Sequence, residues 1–332
     1  MKVKNYLLKF LQVSKKSWQI TFPINLKIGF KMKRNFIGYG EEKPKLAWPD
    51  KNNLAVSIVV NIEEGAELSV SSGDNENEYV YENNKIKIEN SNQDLCMESH
   101  FEYGLRSGIW RIFSVLDKYK VQATFSCCSQ ALEKSPWLVN EIVKRGHEIS
   151  AHGVKWISHV NLSLKEEEKV IKECYSSIYR LSGNPPMGWH TKSATSSNTR
   201  NLLIEHGGFL YESNAYNDDI PYVLEMKSKN IVIIPYSFDT NDMRFEGNGG
   251  FVHGADFFNY CKESFDQLLE ETKDGSIKMM SIGLHPRIIG RPGRIRGLES
   301  LLEYITAKKR AWITNRIEIA KFCLQEKIFK QS

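Results

Sequence analysis

Short, nearly continuous apolar runs recur along this chain, each followed by a stretch of helical spacing, and that alternation restricts the fold more than any single motif. Leu54–Val60 (LAVSIVV) is the clearest run. It is apolar almost throughout rather than at every second position, the pattern of a strand buried on both faces. Further strands are predicted at Ala123–Ser126, His147–His152, Met187–His190, Phe209–Glu212, Ile231–Ser237, Met279–His285 and Ala311–Thr314. Between them the spacing predicts helices over Gly108–Tyr119, with Trp110, Phe113 and Leu116 on one face, and over Pro136–Arg145. Others follow at Ser163–Ser182, opened by a Ser163/Glu166 capping-box pair, and at Asn198–His206, Gly254–Thr272, Leu298–Thr306 and Asn315–Cys323. Seven or so strand–helix repeats predict an α/β fold, a single (β/α) barrel of about seven strands. No GxGxxG follows a strand and no Walker loop is present, which weakens a nucleotide-binding reading.

The alternation is interrupted once. Residues 66–99 are polar and rich in Glu, Asn and Ser, a long excursion between the first strand and its helix, with one alternating segment, Lys85–Glu89, that suggests a hairpin. The net charge of +5 is also unevenly placed. Nine Lys/Arg and no acid fall in residues 1–40, and without them 36 basic residues face 40 acidic ones. Residues 1–35 therefore form a basic extension, either dispensable, with Met32 as the functional start, or a targeting or membrane-surface element. Residues 36–332 form the catalytic domain. Its mild acidity argues against a nucleic-acid partner. No apolar run approaches ~18 residues, so no integral membrane segment is expected. Six cysteines without a CxxC pair point to reduced thiols and a cytoplasmic protein. A small-molecule substrate and a homo-oligomer are expected.

Polar side chains collect at the strand ends. Glu63 and Glu64 follow the first strand, His152 the third, Asp239 and Asp242 the IPYSF run, and His285 the MMSIGL run. In barrels of parallel strands that C-terminal edge carries the chemistry. A carboxylate there can take a proton from water, and a histidine can protonate a leaving nitrogen or steady an oxyanion, which describes amide or ester hydrolysis. A zinc site would want a histidine four residues after His152. Trp156 stands there, and the next histidine is His159, so no cofactor is expected.

With these residues in view, the order of motifs resembles the polysaccharide deacetylase superfamily (carbohydrate esterase family 4, the NodB homology domain). Within it, the chain is most similar to the metal-independent, purine-utilisation type of allantoinase. The matching segments are FIGYGEEKPKLAWP, VVNIEEGAE, FEYGLRSGIWRI, GHEISAHGVKWISH, GWHTKSATSSNTR, GGFLYESNAYNDDIPY, PYSFDTNDMRF and MMSIGLHPRIIGRPGR, spanning Phe36 to about Arg316. The resemblance implies that Glu63 is the catalytic base and His285 the general acid. It implies that Glu64 and His152 match metal ligands of the deacetylases, with Trp156 in place of the second histidine. Asp239 sits where an acid could tune His285, and Arg106, Trp189, Arg287 and Arg291 would shape the substrate pocket. The chain departs from the pattern at Ile62, His190, Lys192, Ser193 and Asn214, changes that bear on the substrate more than on the fold. The reaction implied is hydrolysis of a cyclic amide, allantoin to allantoate. The alternatives are a metal-dependent deacetylase of N-acetylated sugars, with zinc on Glu64 and His152 and with His159 as a further candidate ligand, and a barrel that binds ureides or glycans without turning them over.

Overall fold

The computed structural model describes residues 34–80, 92–226, 229–246 and 250–326. Most of the basic extension and the Lys85–Glu89 segment lie outside them. The first strand, β1 (Leu54–Ile62), is buried at every position, as its uninterrupted apolar run requires. Along one edge it pairs in parallel with β8 (Lys278–Leu284), from Leu54 opposite Lys278 to Val60 opposite Leu284. Its other edge is divided. Leu54–Ser57 pair with β9 (Ala311–Thr314), and Val59–Ile62 pair with β2 (Thr124–Cys127), both in parallel.

Beyond β2 the sheet continues in parallel through β3 (Glu148–Ala151), β4 (Gly188–Trp189), β5 (Tyr211–Glu212) and β7 (Lys229–Ile233). The chain after β7 then runs on to Asn241, which makes a parallel bridge to Gly283 of β8. The Gly283 N–H donates to Thr240 O at 2.9 Å. This contact brings the two ends of the curled sheet together, and the expected (β/α) barrel is observed with parallel strands in the order β7-β5-β4-β3-β2-β1-β8.

The helices pack outside this sheet. An early segment comprises α1 (Leu95–Tyr103), a π-helical turn (Gly104–Gly108) and α2 (Ile109–Tyr119) without a break. Then come α3 (Ser129–Lys134), α4 (Pro136–Lys144), α5 (Leu164–Ser182) and α6 (Thr199–His206), followed by α7 (Gly254–Glu271), α8 (Pro292–Ala307) and α9 (Arg316–Glu326). The predicted capping box is present. Ser163 accepts from the Glu166 N–H, and the Glu166 carboxylate accepts from the Ser163 N–H at 2.8 Å. Trp110 does not join Phe113 and Leu116 in the core. It is 44% exposed and stacks on Trp137 at 5.2 Å, because Ile109 and Ile112 fill the inner face of α2.

Among the described residues, two α-helices and one strand escaped the sequence reading. The helix α1 begins at the end of the polar excursion and runs past it, capped by Asp94, whose carboxylate accepts the Met97 N–H. The helix α3 is too short to display a period. The strand β6 (Tyr222–Met226) pairs antiparallel with β7 and is specified by that partner more than by its own pattern. No helix among the described residues is long and apolar enough to cross a membrane. All six cysteines are unpaired, and all but Cys96 are buried.

Candidate active site

Glu63 and Glu64 leave β1 at the end of the barrel where β3 delivers His152 and β8 delivers His285. Glu63 is 1% exposed and sits at the centre of the cluster. Its Oε1 lies 3.4 Å from His152 Nε2 and 3.4 Å from His285 Nε2. Its Oε2 lies 2.7 Å from Arg287 Nη1. The Nδ1–H of His152 donates to the His190 carbonyl at 2.8 Å, which fixes that ring's orientation and turns Nε2 toward Glu63. The His190 ring stacks on it at 4.9 Å.

The acid behind His285 is Asp242. Its Oδ1 accepts from His285 Nδ1 at 2.6 Å, while Oδ2 accepts the N–H groups of His285 at 2.7 Å and Ile289 at 3.1 Å. Asp239, to which the sequence reading gave this place, is instead exposed, on the wall of a cleft of about 510 Å³ with Tyr216 and Phe238. The reason is backbone geometry. The strand end that faces His285 is the Asn241–Gly283 bridge, and Asn241 caps the short 3₁₀ turn that begins with Asp242.

These contacts set the charges. Burial alone would raise the Glu63 carboxyl, but the Arg287 guanidinium, the His285 charge and the two imidazole contacts hold it well below the usual carboxylate range. Burial opposes charge on His285 too, yet Glu63 and Asp242 together raise it to about 10. Glu63 is therefore a carboxylate and His285 an imidazolium across neutral pH, with the Nε2 proton of His285 directed at Glu63. Glu64 differs. Burial, reinforced by the Glu63 charge, pushes it up to about 7 against the pull of Arg287. Its oxygens accept the N–H groups of Glu63 at 3.1 Å and Arg287 at 3.3 Å. The π turn makes room for it, since a Cβ on Gly104 would collide with the Glu64 carboxylate.

The other residues named from the sequence are spread around this cluster. Arg106 is exposed, pairs with Glu102 at 3.2 Å, and lines a cleft of about 560 Å³ that also touches Glu64, Glu98 and Lys134. Trp189 is fully buried, its Nε1–H donating to Thr191 Oγ1 at 2.8 Å. Arg291 stacks on Tyr103 at 3.6 Å and meets His100 at 2.9 Å. Trp156 is 4% exposed and lies against two cations, Arg287 (Cζ 5.0 Å from the ring centroid) and Lys192 (Nζ 3.5 Å). Lys192 in turn pairs with Glu78 of the excursion at 2.8 Å.

A family model described as polysaccharide deacetylase matches residues 90–207. A Schizosaccharomyces pombe protein named "Putative polysaccharide deacetylase" is 38% identical over 292 residues, 82% of this chain and 91% of the relative. The chain belongs to the polysaccharide deacetylase family. Two solved structures are similar to this chain along nearly their whole length. One is titled a probable polysaccharide deacetylase from Pseudomonas aeruginosa PAO1, at 38% identity and TM-score 0.85, covering 90% of this chain and 100% of that one. The other is PuuE allantoinase, at 37% identity and TM-score 0.84, covering 89% and 98%.

The residues do not fit the metal that the deacetylase motif implies. Arg287 already places a positive charge beside both glutamates, at 2.7 Å from Glu63 and 3.7 Å from Glu64. Trp156 offers no donor in place of the second histidine. His159 is turned away, its Nδ1 held by Glu167 Oε1 at 3.1 Å, and Glu167 is also bound by Ser196 and Thr199. Among the described residues no three His, Cys, Asp or Glu side chains are placed to hold a metal ion together.

Proposed function

We propose that this chain hydrolyses a C–N bond of a cyclic amide, with the opening of allantoin to allantoate as its reaction. The observation that carries this reading is the Glu63–His285–Asp242 line: an ionised carboxylate and a protonated imidazole 3.4 Å apart, the imidazole backed by a second carboxylate. Glu63 takes a proton from water as the water oxygen bonds to the ring carbonyl carbon. His285 then gives its Nε2 proton to the ring nitrogen as the C–N bond breaks, leaving a ureido group and a carboxylic acid. His152 steadies the base. Arg287 and His285 carry the positive charge that offsets the developing oxyanion. The hydantoin carbonyl, more electrophilic than that of a plain acetamide, suits a site whose activation comes from positioning. Similarity to PuuE allantoinase along 98% of that chain supports the same reading.

Deacetylation of an N-acetylated sugar is the second reading, favoured by the names of the S. pombe and P. aeruginosa relatives. One assay separates the two. The chelator-treated full chain is incubated with allantoin, and allantoate is measured. Turnover that falls by about 10³-fold or more in Glu63→Gln supports the proposal, on the scale expected for loss of a catalytic group. Absence of turnover, with acetate released from an N-acetylated sugar once zinc is added, would sink it.

A further inference from the structure

Two carboxylates buried side by side need a positive charge close by, or one of them must stay protonated. A divalent cation is one way to supply it. In this chain Arg287 occupies that position, and its side chain is wholly buried. Its guanidinium meets Glu63 at ion-pair distance without the angle of a hydrogen bond, and Nε and Nη2 make none either. It therefore acts here as a charge rather than as a two-pronged donor. Its faces are held by aromatic rings, with Cζ 4.5 Å from the Phe101 centroid and 5.0 Å from that of Trp156. Phe101 comes from α1 and Trp156 from the loop after β3, so two separate parts of the chain converge on one cation.

The geometry points to Arg287 as a built-in cation that takes the charge position of a divalent metal beside Glu63 and Glu64, with Phe101 and Trp156 as its seat. Trp156 is then more than a missing ligand. The position that would hold a second imidazole supplies a π face to the cation in its stead. The backbone is consistent with this, because the Arg287 N–H also donates to Glu64 Oε1, so that one residue anchors the second carboxylate through both side chain and main chain. A charge attached to the chain cannot be removed by a chelator, and it repels any cation brought to the same carboxylates.

The test removes the charge and asks whether a metal enters. Arg287→Ala and Arg287→Lys are prepared in the full chain, circular dichroism reports the fold, and Co(II) is the probe, its visible d–d bands reporting coordination. The wild type and Arg287→Lys are expected to give no bands. Arg287→Ala combined with Trp156→His, which supplies the missing imidazole donor, is expected to take up cobalt stoichiometrically, and to lose it again when His152→Ala is added. A folded Arg287→Ala/Trp156→His without cobalt bands, or a wild type that binds cobalt as tightly as that variant, would overturn the proposal. If the double variant does not fold, Trp156→His alone decides. It restores the imidazole while leaving the guanidinium, so staying free of cobalt supports the proposal and cobalt bands refute it. The readout is metal binding, so it stands or falls separately from ureide hydrolysis.

Discussion

Glu63 and His285 owe their protonation states to each other and to the groups behind them, which makes the pH profile a direct test of the site. Glu63 stays ionised down to well below the usual carboxylate range, and His285 keeps its proton up to about 10. Activity should therefore run as a broad plateau, with its acid limb below the usual carboxylate range and its alkaline limb near pH 10. Asp242→Asn removes one of the two charges that hold the His285 proton. Its alkaline limb should move toward neutral pH, and kcat should drop on the order of 10³–10⁴-fold, as when the acid of a catalytic triad is made neutral. Asp239→Asn, on the exposed wall, should change neither. The two residues between these aspartates, Thr240 and Asn241, mark the limit of reading a site from a string. Strand ends announced Glu63, His152 and His285, because the buried runs stop at them. Which aspartate faces His285 depended on the Asn241–Gly283 bridge, a contact between distant segments with no local signature. Arg287 carried a signal in its place two residues after His285, but its burial against Phe101 and Trp156 could not be read from spacing.

At the scale of elements, the segment Gly104–Gly108 is where local backbone and site meet. A π-helical turn widens the helix and lets the Gly104 backbone lie against the Glu64 carboxylate. Gly108 is pressed as closely onto Pro286 and Gly290 in the loop that carries Arg287. Gly104→Ala should therefore cost about 1–3 kcal/mol of stability, the usual range for overpacking, and reduce activity by displacing Glu64. Urea denaturation and a turnover assay would measure the two effects. The excursion is tied down differently, by the Lys192–Glu78 pair at 2.8 Å and by Lys155 to Asp74. These ties are partly solvated, so Glu78→Gln should change global stability by less than about 1 kcal/mol. Hydrogen exchange over residues 66–80 should nevertheless accelerate. A polar composition identified this stretch as an excursion but not its attachment, since ion pairs between distant residues have no period.

For the whole molecule, burying ionisable groups under β1 and β8 shapes stability as a function of pH. Glu64 is raised to about 7, so the folded chain keeps its proton longer than the unfolded chain, and stability falls as pH rises from about 4.5 to 7. His285 is raised as well. Its contribution is complete below about 6.5 and is lost as pH climbs to about 10. The urea midpoint should thus decline from neutral to alkaline pH, and less steeply in Asp242→Asn than in the wild type. The barrel was legible mainly through β1 and β8, which are buried at every position, because burial of that kind leaves a nearly continuous apolar run. The strand β6 was not, because an edge strand takes its register from a partner. The divided edge of β1 bears on biosynthesis. Leu54–Ser57 emerge early from the ribosome, yet their partners in β8 and β9 begin at Lys278 and Ala311. The strand that ends in the two glutamates must therefore wait, unpaired along its first half, until more than 200 further residues, up to β8 and β9, have been made. A nascent chain halted before Ala311 presents that apolar edge to its neighbours on the same message, which makes the interval before β9 emerges the one in which a chaperone has most to protect.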